Sequence, residues 1–388
     1  MNANYYENKL DLKKVINASG KMTILGVSKV NKKVIDAQNY GATNFFEMDD
    51  LYIKSGKYIT NLINEKVKSN SYFEDAQIVS CTSAGIAQMV ATTIAENITK
   101  IQNEKLNAPF DFINFKKREV IIAKGHNINY GTPIEIMIKL GGGIVVEAGY
   151  ANMCNLDDFN NKLTENTTAI LYVKSHHTVQ KNMLSLEDMV KFSKSKNVPL
   201  IVDAAAEEDI LAYSKLGADV VIFSTSKGLN GPSSAIVLGK KKFINGLRIQ
   251  NKGIGRAMKV DKSTIFGTIR AIEDYIYDIS SNETNKIDTY TIATKFVDKL
   301  NKIQNINASI VKDSVREIYR ASIQCEKPKI AAKIIKMQKE QSPSIYVREY
   351  QANIGIIEYD VRAISEEEIE IIIQSLKNIM KNIEEHDE

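Results

Sequence analysis

Residues 199–238 read PLIVDAAAEEDILAYSKLGADVVIFSTSKGLNGPSSAIVL. The run Pro199 to Asp203 is apolar, rich in branched residues and stops at an acid. Asp219 to Ser224 repeats the pattern and runs into Ser-Thr-Ser-Lys, with a helical stretch, Glu207 to Leu216, between the two. Strand, helix and strand in this order are a unit of a parallel sheet. In an open sheet of that kind ligands lie beyond the carboxyl ends of the strands. Asp203 and Lys227 are therefore expected to emerge as neighbours at one edge.

The same alternation extends outward. Short branched runs occur at Gln77 to Ser80, Glu119 to Ala123, Gly143 to Glu147, Thr168 to Val173 and Ser234 to Leu238, and helical stretches at Ala84 to Lys100, Ile128 to Leu140 and Ser185 to Lys196. Together they predict an α/β domain around a mostly parallel seven-stranded sheet covered on both faces. The last strand follows the lysine turn after a loop too short for a helical crossover, so it is expected to run antiparallel. Beyond Lys240 the pattern changes to a long helical stretch from Ser263 through Ile303, candidate strands at Ala308 to Val311, Ser344 to Glu349 and Asn353 to Glu358, and a terminal helix from about Ser365. The expected division is an amino-terminal segment, 1–40, a large domain, 41–255, and a smaller α+β domain, 256–388.

With 388 residues, 44% of them hydrophobic, the chain can bury a large core and exceeds the usual size of one domain. The formal charge of +4 is small and its basic and acidic residues are interleaved, which predicts no long nucleic-acid footprint. Cys81, Cys154 and Cys325 are odd in number and widely spaced, which supports neither a disulfide framework nor a metal site. Neither a signal peptide nor an apolar run of membrane-spanning length is present, so a soluble protein of the reducing cytoplasm is expected, without membrane attachment.

A lysine and a carboxylate at adjacent strand ends are what pyridoxal phosphate chemistry requires. The amine forms a Schiff base with the cofactor aldehyde, and the acid keeps the pyridine nitrogen protonated so that the ring can accept electrons. An exposed turn lysine and a helix-capping aspartate account for Lys227 and Asp203 singly, but not for their pairing.

The cofactor phosphate needs its own site. Ser83, Ala84 and Gly85 follow the first strand and open a helix, where backbone N–H groups can approach an anion, although an ordinary N-capping serine gives the same pattern. Ser224 and Ser226 flank the lysine and can reach the same phosphate; a polar turn is the alternative. His126, in AKGHNINYG, lies at a strand's carboxyl end where an imidazole can cover the ring, or be satisfied by local hydrogen bonds. His176 and His177 follow another strand in YVKSHHTVQ. His386, in the acidic tail, is expected to be solvated.

These segments resemble fold-type I pyridoxal phosphate enzymes, of the aspartate aminotransferase fold. More narrowly they are similar to the selenocysteine synthase-like group and its D-glucosaminate-6-phosphate ammonia-lyase branch. The resemblance is carried by INASGKMTILG at 16–26, FFEMDDLYIKSGKYI at 45–59, CTSAGIAQMVA at 81–91, IVDAAAEED at 201–209 and FSTSKGLNGPSSAIVLGK at 223–240. It implies Lys227 as the Schiff-base residue, Asp203 at the pyridine nitrogen, Ala205 beneath the ring, His126 on its face, and Ser83 to Gly85 with Ser224 and Ser226 at the phosphate. It also implies a homodimer or larger assembly. Where relatives often carry Gly-Gly after the Leu of the amino-terminal motif, this chain has Gly26-Val27.

The reaction so implied is loss of water and ammonia from a 2-amino-3-hydroxy acid, with D-glucosaminate 6-phosphate as the expected substrate. Lys227 would remove the Cα proton, and Lys227 or His176 would supply a proton to the departing hydroxyl. A phosphorylated amino sugar acid also needs cations, for which Lys21, Lys174 and Arg362 are candidates, each equally readable as a solvated charge. Two rivals remain. A selenocysteine synthase-like or other fold-type I enzyme acting on an aminoacyl-tRNA would need a broad basic surface. A non-catalytic binding protein on the same scaffold would have no use for the Asp203 and Lys227 pair.

Overall fold

A computed structural model describes residues 5–68, 71–102, 115–175, 177–280, 288–313 and 318–387. The described chain forms two compact units, Val30–Ser280 and Met1–Lys29 together with Ser281–Glu388. Twelve strands are found among the described residues: β1 Val15–Ala18, β2 Asp75–Val79, β3 Glu119–Ala123, β4 Ile144–Ala148, β5 Thr167–Val173, β6 Leu200–Asp203, β7 Val220–Ser224, β8 Ala235–Gly239, β9 Asn307–Lys312, β10 Tyr319–Gln324, β11 Ser344–Val347 and β12 Ile356–Asp360.

Strands β2 to β8 build one seven-stranded sheet in the order β2-β8-β7-β6-β5-β3-β4. Strands β7, β6, β5, β3 and β4 are mutually parallel, whereas β8 is antiparallel to both β7 and β2. The carboxyl end of β2 therefore shares an edge with those of β3, β5, β6 and β7. Alternate side chains along one strand enter different cores. Ile121, Ile170, Val202 and Val221 pack on one face. Val120, Ile122, Leu171, Ile201 and Ile222 pack on the other. A fully buried side chain of this size contributes about 1.5–3 kcal/mol, so two covered faces explain the unbroken apolar runs of β5 and β7.

Helices differ more from expectation. The stretch 128–140 is helical only over Glu135–Leu140, because Gly131 takes φ +115° and Asn129 bridges Pro133 to close a turn. The stretch 207–216 contains a single turn, Ile210–Tyr213, capped by Asp209. Helices Lys32–Thr43 and Met48–Val67 were not foreseen. The stretch 263–303 divides into Lys262–Ser280 and Thr289–Leu300.

The first of these two helices belongs to the large unit, so the observed boundary falls at 280 rather than near 255. Lys262 Nζ donates to the carbonyls of Gly41, Ala42 and Asn44, and Phe266 meets Tyr40 edge to face. In the other unit β12, β10 and β9 form an antiparallel sheet and β1 pairs in parallel with β11. Helices Thr289–Leu300, Pro328–Glu340 and Glu366–Asp387 supply its apolar core, the last beginning with three acids in its first turn. No helix among the described residues is long and apolar enough to cross a membrane.

Candidate active site

Strand β7 ends at Ser224, whose hydroxyl accepts the N–H of Lys227 at 3.4 Å and so caps the one-turn helix Thr225–Gly228. Ser224 Oγ also lies 3.2 Å from Ser226 Oγ. The turn is pinned from below: buried Thr225 bonds the Pro232 carbonyl at 2.9 Å, and its hydroxyl lies 2.6 Å from that of Ser234. From above, a Cβ on Gly228 would stand 2.9 Å from the Glu207 carbonyl, so the acidic block rests directly on the lysine turn. Lys227 is thereby presented from a rigid base.

Asp203 is the last residue of β6, paired in register with Ile222 of β7 and Val173 of β5. Its side chain is buried, 7% exposed, and its Oδ1 accepts the Ala205 N–H at 3.0 Å. Burial pushes the acid up to about 6, opposed by that hydrogen bond and by the Lys227 charge. Ala205 is thus held by Asp203 itself, two residues on in the same turn.

His126 closes the turn after β3 and is 1% exposed. Both ring nitrogens are buried without a well-formed hydrogen bond among the described residues. Burial lowers its pKa to about 4, tempered by the Val179 backbone and reinforced by Lys174. Tyr172 of β5 meets the imidazole edge to face, centroids 4.6 Å apart and planes at 82°. The loop after β5 ties these parts together. Lys174 N–H donates to the Asp203 carbonyl at 2.8 Å, and Val179 N–H to the Gly125 carbonyl at 3.2 Å. On that loop His177 is lowered by burial and by the Lys227 charge. The expected site residue His176 lies outside the described residues.

Cys81, Thr82 and Ser83 lead from β2 into the helix Thr82–Gln102. Gly85 N–H is consumed by the Cys81 carbonyl at 3.0 Å, and Ala84 N–H points at Cys81 Sγ at 3.4 Å. The bare Cα of Gly85 faces Ile222, Val237 and Val79, which lets the helix approach the sheet closely. Ser83 Oγ stands 2.9 Å from the hydroxyl of Tyr130, a residue that the sequence reading did not single out.

The large unit thus gathers Ser83 to Gly85, His126, Lys174, Asp203, Ala205, Ser224, Ser226 and Lys227 along one edge of its sheet. Lys21 and Arg362 belong to the other unit. There Arg362 grips buried Asp360 with Nε to Oδ1 at 2.9 Å and Nη2 to Oδ2 at 2.8 Å, and a Cβ on Gly20, beside Lys21, would come within 3.4 Å of that guanidinium.

These residues fit an aldehyde cofactor with an aromatic nitrogen and a phosphate. Asp203 is an acid on the verge of ionising, ready for a cationic partner, and both ring nitrogens of His126 are buried without a well-formed hydrogen bond among the described residues. Along the same sheet edge, hydroxyls stand at Ser83, in the first turn of the helix Thr82–Gln102, and at Ser224 and Ser226 after β7.

The family described as SelA: L-seryl-tRNA selenium transferase matches residues 15–378. The D-glucosaminate-6-phosphate ammonia lyase of Salmonella typhimurium is 36% identical over 98% of this chain and 99% of its own. A 5'-C-glycyluridine monooxygenase-decarboxylase from Streptomyces sp is 30% identical over 94% and 90%. A solved structure of D-glucosaminate-6-phosphate ammonia-lyase matches with a TM-score of 0.87 at 35% identity, covering 98% of this chain and 99% of that one.

Proposed function

The chain belongs to the L-seryl-tRNA selenium transferase family, and from that premise we propose that it is a pyridoxal phosphate-dependent ammonia-lyase. It eliminates water from a 2-amino-3-hydroxy acid, and a water is taken up again when the released enamine tautomerises and is hydrolysed to keto acid and ammonia, so that the net loss is ammonia. Its substrate is D-glucosaminate 6-phosphate and its product 2-keto-3-deoxy-6-phosphogluconate. The observation that carries this reading is the end-to-end likeness to the Salmonella ammonia lyase. The buried Asp203 beside the Lys227 turn supports it independently.

Pyridoxal 5'-phosphate, when bound, supplies an electron sink for the pair left at Cα once its proton is gone. Lys227 would anchor its aldehyde until the substrate's amine takes that place, which frees the lysine amine to act as a base. Asp203, at about 6, is ionised near neutrality and holds a proton on the ring nitrogen. His126, neutral at that pH, would cover the ring, and Ala205 would lie beneath it. The hydroxyls of Ser83, Ser224 and Ser226 would hold the phosphate, the Ala84 and Gly85 N–H groups being already engaged with Cys81.

Lys227 Nζ would take the Cα proton and, as an ammonium, would be an acid for the departing β-hydroxyl, with His176, which lies outside the described residues, as the alternative donor. Lys174, on the loop after β5, is the large unit's candidate cation for the substrate's carboxylate or distal phosphate.

The enzyme acts in the cytoplasm as a homodimer or larger assembly. Phe45, 97% exposed, is apolar surface that a second copy would cover. The test is to supply purified enzyme with D-glucosaminate 6-phosphate and with a panel of hydroxy amino acids while ammonia and keto acid are measured. Release from the sugar phosphate is expected. Turnover of another member alone removes the substrate assignment and leaves the cofactor in place. Borohydride should fix the cofactor to the wild-type chain but not to Lys227→Ala.

A further inference from the structure

Tyr130 rides on a tight turn that closes onto buried Ile134. Asn129 bridges Pro133, Gly131 N–H donates to Asn129 Oδ1 at 2.9 Å, and Ile134 N–H returns to the Ile128 carbonyl at 3.0 Å. The turn delivers one side chain inward: the Tyr130 ring packs against the sheet core, and its hydroxyl stops 2.9 Å from Ser83 Oγ in the first turn of the helix Thr82–Gln102.

A serine hydroxyl has a single proton to give and two lone pairs to receive with. A phenol is the stronger donor of the two and an aliphatic hydroxyl oxygen the stronger acceptor. The favoured direction is therefore Tyr130 to Ser83, which leaves the serine proton for something else. Burial, with Asp203 and Cys81 nearby, raises the phenol's pKa and keeps it a donor over the working pH range.

We propose that Tyr130 is a positioning residue for the cofactor phosphate, its hydroxyl donating to Ser83 Oγ so that Ser83 turns its only proton toward the phosphate oxygens. This rests on the reading that Ser83 lies at the phosphate. The relay also makes the serine a better donor, since hydrogen bonds in a chain polarise one another.

The test compares holoenzymes of wild type, Tyr130→Phe, Ser83→Ala and the double variant for loss of pyridoxal phosphate after dilution, followed by absorbance. A net hydrogen bond of ordinary strength predicts that Tyr130→Phe weakens retention roughly five-fold. Because Tyr130 acts through Ser83, the double variant should retain the cofactor as Ser83→Ala does, with no further loss. The phosphorus resonance of the bound cofactor should move in Tyr130→Phe.

Retention unchanged in Tyr130→Phe, or additive losses in the double variant, overturns the inference while leaving Ser83 at the phosphate. Full retention in Ser83→Ala removes the underlying reading, and the inference with it.

Discussion

The Ala205 N–H donates to Asp203 Oδ1 at 3.0 Å, yet burial outweighs that bond and the Lys227 charge, and the carboxyl keeps its proton up to about pH 6. An acid whose pKa rises on folding binds its proton more tightly in the folded chain. Its effect on stability is therefore unfavourable above pH 6 and fades as pH falls toward 3.8. A shift of this size is on the order of 3 kcal/mol. Asp203→Asn should raise the melting temperature of cofactor-free protein at pH 7 and leave it unchanged near pH 4. The same change removes the anion opposite the ring nitrogen, so turnover should fall on the order of 100-fold or more. Calorimetry at the two pH values, beside an ammonia assay, checks both halves; a lower melting temperature at pH 7 would refute the burial argument.

His126 works in the opposite sense over nearly the same range. Its pKa drops from 6.5 to about 4, so the unfolded chain takes up a proton that the folded chain refuses, and stability is lost as pH falls through that window. At pH 5 this is about 2 kcal/mol. His126→Phe keeps an aromatic ring against Tyr172 and removes the titration, so urea unfolding of the cofactor-free protein should show a gain at pH 5 that is absent at pH 7. An equal gain at both values would point to packing rather than protonation.

The large sheet was legible because its strands are buried on both faces. Continuous branched runs such as 168–173 and 219–224 mark themselves without any alternation, and their shared edge follows from chain order. β1 and β10 were hidden for the converse reason. VINA is brief, and YRASIQ carries Arg320, buried by ion pairs with Asp313 and Asp360 rather than by its own apolarity. At the candidate site, residues inside a motif could be named from sequence, but Tyr130 and Tyr172 could not. Tyr130 reaches Ser83 only because the turn at Gly131 folds back, and Tyr172 reads as one more strand residue until His126 is seen against it.

Gly85 matters less for backbone freedom than for clearance. A Cβ there would lie 3.1 Å from Ile222 Cγ2, 3.3 Å from Val237 Cγ2 and 3.4 Å from Val79 Cγ2. Those methyls belong to branched residues in buried strands and cannot rotate aside. Alanine gains up to about 1 kcal/mol in helix propensity, but overpacking costs typically about 1–3 kcal/mol. Gly85→Ala should therefore lose stability by about 1 kcal/mol in urea unfolding. It should also release pyridoxal phosphate faster, since the first helical turn must lift. Unaltered stability with unaltered retention would show that the helix has slack.

The amino-terminal motif carries the last test. Gly26 and Val27 both take positive φ, +80° and +69°, in a turn where Val27 N–H donates to the Met22 carbonyl at 3.0 Å. Glycine enters that region freely, whereas a branched side chain there is strained by about 1–3 kcal/mol. The departure from Gly-Gly noted in the sequence thus falls on a backbone conformation that glycine suits. Val27→Gly relieves the strain but adds freedom to the unfolded chain worth about 0.4–1 kcal/mol, leaving a net stabilisation on the order of 1 kcal/mol. Val27→Asn, tolerated in the same region with less added freedom, should gain at least as much. Val27→Ala, which keeps Cβ, should gain least. Melting temperatures of the three variants give the ranking directly, and a loss in Val27→Gly would mean that the valine's contacts outweigh the strain of its backbone.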